Sequence, residues 1–255
     1  MKYRISTFWA AIFASCLIFS ACKKDSNQPN QDSLFPNSIV STDIDFIFSD
    51  DPDAFVGLTY VGREDKEMPD SRNGDLFDTD TFIFEAEFAN SKVVEIWAHS
   101  DFGTSAAAQE YADKLTPRLG KLPEFMRDDL AYVVLHKGDA GAFSESAANF
   151  FVLYSDNMDT RISNNDLEET VFHETVHATL DEEHANSSAW TDAQAADNRF
   201  LTEYGADYPV REDLAETALF AYTMITHPGR LSDDTETWVR ENIPNRWAFL
   251  QGIFQ

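Results

Sequence analysis

"ETVFHETVHATLDEEHA" (169–185) gathers three of the chain's six histidines into twelve residues. The way this stretch coils decides what must surround it. In an α-helix, positions i and i+4 share a face, so His173 and His177 can present two imidazoles to one ion. Glu174, beside the first of them, can lean toward a water on that ion, which completes an H-E-x-x-H arrangement. Asp166, or Asn165 next to it, can cap such a helix, and Leu167, Val171 and Leu180 give it apolar contacts. The competing reading is an amphipathic helix whose histidines face solvent. A third ligand separates the two.

A catalytic zinc normally takes three protein ligands and keeps a fourth position open. His184 follows His177 by seven residues. The extended histidine motif needs a glycine where Leu180 stands and a histidine where Glu183 stands, so His184 is out of register for that class. The other source is a glutamate from a later helix: Glu203, Glu212 or Glu216. Glu212 and Glu216 lie one turn apart in a stretch that otherwise carries Leu214, Ala218, Tyr222 and Ile225. Acidic residues at such a seam need partners, and one could hold a metal while the other orients a ligand histidine from behind. Asp181 could orient His173 or His177, although "LDEEH" also reads as an ordinary helix end.

With "HETVH" (173–177) followed some thirty residues on by "TEYGADYPVREDLAE" (202–216), the chain resembles the zincin-type metallopeptidases related to the catalytic domain of anthrax lethal factor. The resemblance implies an α+β, gluzincin-like core that binds Zn²⁺ through His173, His177 and Glu212. It also implies that Glu174 is the general base, Glu216 the acid behind the ligands, and Tyr204 the phenol that stabilises an oxyanion. Over nearly its whole mature length the chain also resembles a family of uncharacterised bacterial secreted proteins. "GKLP", "HKGD", "LEETVFHETVH", "LDEEHA", "REDLAE" and "IPNR" carry that likeness, in this order, and keep His184 as a pocket residue or one behind the ligands. Neither resemblance supplies a substrate beyond a peptide or protein.

Residues 1–22 have the build of an export signal: Lys2 and Arg4, an apolar run from Phe8 to Phe19, then Ser20 and Ala21 before Cys22. It is too short and wrongly flanked for a durable membrane span. It resembles a bacterial lipoprotein signal, departing from the pattern at Phe19, and implies removal of 1–21, lipid on Cys22 and anchorage in the cell envelope, with the outer membrane expected. The competing reading is an ordinary secretory signal cut nearby. Loss of Lys2 and Arg4 takes the formal charge from −26 to −28. A surface so acidic repels nucleic acid and anionic headgroups, while it permits a cationic substrate. With Cys16 gone and Cys22 lipidated, no disulfide can form, so stability must come from the core.

Along the rest, 22–38 is polar with two prolines and reads as a flexible tether. Residues 39–102 read as a β-rich region, because "FVGLTYVG" (55–62), "TFIFEAEF" (81–88) and "KVVEIWAH" (92–99) alternate apolar and polar residues; the last two suit a hairpin, and 63–80 reads as a loop. "SDDPD" (49–53) lacks the ligand spacing of a calcium loop and reads as a solvated turn. Residues 103–255 form the expected zincin-like domain. It has a helix from Ser105 that Pro117 kinks or ends, strands at 130–137 and 149–156, and two helical stretches after the histidine motif. "NFFVLYSD" (149–156) could offer an edge to an extended peptide, or be a core strand. His99, His136 and His227 read as surface or cap residues, and Trp190, Trp238 and Trp247 as core anchors.

The sequence therefore points to a lipid-anchored zinc metallopeptidase. The alternative is a zinc-binding but non-catalytic cell-surface binding or adhesion protein. Glu174 favours the first, since a structural zinc needs no general base.

Overall fold

The computed structural model describes residues 33–90 and 92–255. The export signal and Cys22 lie outside them. Strand β2 (Phe77–Phe88) pairs antiparallel with β1 (Phe55–Glu67) on one side and β3 (Val94–Ala98) on the other. Helix α1 (Ser105–Gly120) and the short α2 (Glu124–Asp129) then carry the chain to β4 (Tyr132–His136), which lies parallel to β3. A helical crossover of this kind is what parallel pairing requires. β5 (Phe143–Glu145) and β6 (Phe150–Tyr154) complete one six-stranded mixed sheet in the order β1-β2-β3-β4-β6-β5. The helices that follow are α3 (Ser155–Asn164), α4 (Leu167–Leu180), α5 (Ser188–Asp197), α6 (Glu203–Asp207), α7 (Asp213–Thr226), α8 (Asp233–Asn242) and α9 (Pro244–Phe254). A mixed sheet with most of its helices gathered after its strands is an α+β arrangement.

Alternation builds the core. Phe82, Phe84 and Ala86 of β2, Val94 and Ile96 of β3, Val133 and Leu135 of β4, and Phe151 and Leu153 of β6 all enter one buried cluster with Leu115, Val171, Phe172 and Leu219 from the helices. The other face of the sheet buries a smaller cluster in which Met68 packs on Val134, Phe150, Val152 and Tyr154. Covered on both faces, β6 carries the unbroken apolar run "FFVLY" instead of an alternating one.

Several expectations change. Residue 102 does not divide the body: β3 pairs with β4 across it, and Asp32–Gln255 is a single compact unit. The tether ends early, because Leu34 and Phe35 are apolar and pack on the core; Phe35 N–H donates to the Leu201 carbonyl (3.0 Å) and its own carbonyl accepts from Glu203 N–H (2.9 Å). Much of the expected 63–80 loop is strand, in a long arm where Arg63 lies over Phe82 and Lys66 over Trp97. Its polar side chains hid it from an apolar-alternation reading. β6 is not an edge, since it sits between β4 and β5; the edge strands are β1 and β5. Pro117 lies inside α1, which runs on to Gly120. His136 is buried under the tip of the β1–β2 arm, 3.1 Å from the Pro69 carbonyl, whereas His99 does cap a turn. In the 49–53 turn, Asp51 takes the Phe48 N–H and the Arg230 guanidinium. Trp190 is fully buried, with Trp238 and Trp247 packed against the core.

Candidate metal centre

α4 is the central helix of the body, and from Leu167 to Val176 every residue of it is buried. It does not follow the solvent-facing alternative: His173 is 5% exposed. Asp166 stands at its N-cap, but its carboxylate turns to Arg161 (3.1 Å) while its carbonyl receives both Thr170 N–H and the Thr170 hydroxyl. α7 packs beside α4 and begins at Asp213, which leaves Glu212 as its N-cap and Glu216 one turn in. A carboxylate at a helix N-terminus is stabilised by the aligned peptide dipoles.

The two helices bring three ligand atoms together. His177 Nε2 lies 3.1 Å from His173 Nε2 and 3.2 Å from Glu212 Oε2, and His173 Nε2 lies 3.5 Å from the same oxygen. An ion bound tetrahedrally at ~2.0–2.1 Å sets its ligand atoms about 3.3 Å apart. The triangle already has that edge, so His173, His177 and Glu212 form a cluster able to hold a metal ion. Glu203, the remaining candidate, is outside it at the start of α6.

The electrostatics agree with the geometry. Burial alone would raise the Glu212 carboxyl, yet hydrogen bonds from His173 and His177 hold it well below the usual carboxylate range. Burial would likewise depress His177, but Asp181 and Glu212 outweigh it and push the imidazole up to about 10. Both shifts report the negative potential of Asp181 and Glu212 around the imidazoles, and a metal cation that takes the place of the proton meets the same potential. Tyr204 lines the cleft facing Glu212; burial, then the Glu212 carboxylate, push its phenol up to about 12.

Around the ligands, Asp181 Oδ2 meets His177 Nδ1 at 2.6 Å, so it orients His177 and not His173. Glu216, fully buried, has an oxygen 3.7 Å from His173 Nδ1, and that nitrogen is buried with no hydrogen-bond partner. His184 leaves the site: it follows α4 in a π-helical turn and packs edge-on against Phe249. The triad opens into a cleft of about 550 Å³ whose walls include Ser144, Glu174, Tyr204 and Arg211.

Sequence reasoning missed Ser144. This residue of the three-residue strand β5 donates its hydroxyl to Glu174 Oε2 (2.6 Å) and also lies 2.8 Å from the Glu174 carbonyl. It missed Arg211 as well, 3.5 Å from Glu212 Oε1. Neither had a signal in local spacing, because β5 is too short for an alternation and Arg211 is one charge among many. No protein-family model matches the chain, and no curated protein or solved structure matches it.

Proposed function

We propose that the chain is a zinc-dependent metallopeptidase with a zincin-like core. The observation that carries this reading is the triangle of His173, His177 and Glu212 beside a buried glutamate that is not a ligand, Glu174. These three residues would hold Zn²⁺, whose Lewis acidity would be available to lower the pKa of water toward ~7 and to polarise a carbonyl.

The chain's own groups supply the rest. Glu174, its carboxylate fixed by the Ser144 hydroxyl, takes a proton from water as the oxygen attacks the scissile carbonyl, then returns it to the departing amine. The C–N bond breaks, a C–O bond forms, and no redox partner is needed. Tyr204, like any phenol at neutral pH, carries its proton and can donate it in a hydrogen bond to the oxyanion; its upward shift extends this to higher pH. Phe143, Ser144 and Glu145 line the cleft from the edge strand β5, and an extended peptide could join that edge as a further strand. This transfers to β5 the role considered for residues 149–156. Export and lipid attachment at Cys22 would put the activity on peptides or proteins at the cell envelope, with nucleic acid excluded by charge.

Purified protein, zinc-loaded and chelated, assayed on a broad peptide library, tests the reading. Wild type should cleave, a chelator should stop it, and zinc should restore it. Glu174→Gln should keep stoichiometric zinc and lose about 10²–10⁴-fold in rate, the usual contribution of a general base. Equal rates in the two proteins would sink the mechanism. Zinc binding with no cleavage of any peptide would move the chain to the non-catalytic binding alternative.

A further inference from the structure

The segment ahead of β1 is built into the metal centre. Its Ser38 hydroxyl donates to Glu216 Oε1 at 2.6 Å, and the Ile39 N–H donates to Glu216 Oε2 at 2.8 Å. Glu216 is fully buried, and these two donors come from residues 178 and 177 positions away in sequence. The same carboxylate stands 3.7 Å from the inner nitrogen of His173. The strap grips the site elsewhere too: Phe35 pairs with Leu201 and Glu203 just ahead of Tyr204, and Phe46 and Ile47 donate to Glu169, one turn before His173 on α4. Ser38, Val40 and Ser41 share the wall of a side cavity of about 210 Å³ with His173, Glu174 and Tyr204.

We infer that Ser38 is a positioning residue of the metal site: with the Ile39 N–H it fixes the Glu216 carboxylate, and Glu216 sets the orientation of the His173 ring. The inference rests on His173, His177 and Glu212 being the ligands. The physical ground is that a buried carboxylate without donors is costly, and a short hydroxyl-to-carboxylate bond is among the stronger ones available. Without Ser38, one Glu216 oxygen loses its donor, and 3.7 Å from it stands the partnerless Nδ1 of His173. Ligand orientation then changes with no change in the ligand set.

The test uses the full chain with Ser38→Ala, Ser38→Thr and Arg230→Ala, the last a control that releases the strap's far end at Asp51 without touching Glu216. Zinc affinity is read by chelator competition, ligand geometry by the visible spectrum of the Co²⁺-loaded protein, and folding by thermal melting. Ser38→Ala should bind zinc about tenfold more weakly, as loss of an outer hydrogen bond does, with an altered Co²⁺ spectrum, and Ser38→Thr should restore both. Arg230→Ala should lower the melting temperature and leave the spectrum as it was. Unchanged affinity and spectrum in Ser38→Ala, or the same spectral change in Arg230→Ala, would overturn the inference. Glu212→Ala in the same titration keeps the two readings apart: if it binds zinc like wild type, the ligand assignment itself fails.

Discussion

The two halves of α4 treat buried carboxylates in opposite ways. In its first turn Glu169, 1% exposed, receives the Phe46 and Ile47 N–H groups at 2.9 and 3.1 Å on one oxygen, and its other oxygen has no partner. Burial, with Asp45 adding like charge, pushes that carboxyl up to about 7. Beside the last two turns Glu212, 6% exposed, is desolvated as well, but two imidazoles keep it ionised. Burial opposes the charge in both places, so the neighbours decide. Negative charge is held at Glu212, where a cation can answer it, and weakened at Glu169, one helix turn before His173.

The largest expected effect belongs to the ligand end. Tyr204→Phe should lower kcat by about 10²–10³-fold with little change in KM, as removal of one oxyanion donor does. Stopped-assay kinetics on any cleaved peptide would check it, and an unchanged kcat would take Tyr204 out of the mechanism.

At the other end, Glu169 titrates higher folded, at about 7, than its ordinary 4.5. The native state therefore holds more protons than the unfolded state between these values, and stability falls as pH rises through that window, by about 3 kcal/mol in all. Gln cannot lose a proton. Urea unfolding of metal-free protein from pH 4.5 to 8 should show this slope in wild type and a flatter one in Glu169→Gln, whatever fixed offset the amide adds. Parallel curves would contradict the contrast between the two halves. The smallest effect falls beyond both: His184→Ala should leave zinc affinity unaltered and cost only its contact with Phe249, which a zinc titration and a melting curve would show.

Sequence and structure meet where chemistry is periodic. His173, Glu174 and His177 are readable because i and i+4 share a face, and Glu212 and Glu216 because acidic residues interrupt an apolar helix. Parts of β1, β2 and β3 show through alternation and β4 and β6 through apolar runs, whereas β5, with three residues, carries no period. What could not be read comes from contacts distant in sequence: Ser144 on Glu174, Ser38 on Glu216, and Leu34 and Phe35 turning a polar leader into part of the body. The break between α5 and α6 was also hidden. Asn198 takes a left-handed conformation with φ of 50°, and Thr202 caps the next helix through Gly205 N–H, so a stretch with helical spacing becomes two helices.

The central claim is that Glu212, and not Glu216, completes the ligand set with His173 and His177. Zinc affinity of Glu212→Ala and Glu216→Ala, measured side by side by chelator competition, tests it most directly. The account predicts that Glu216→Ala loses about 10–100-fold, as an outer partner does, and that Glu212→Ala loses more. Wild-type affinity in Glu212→Ala, with loss only in Glu216→Ala, would contradict it.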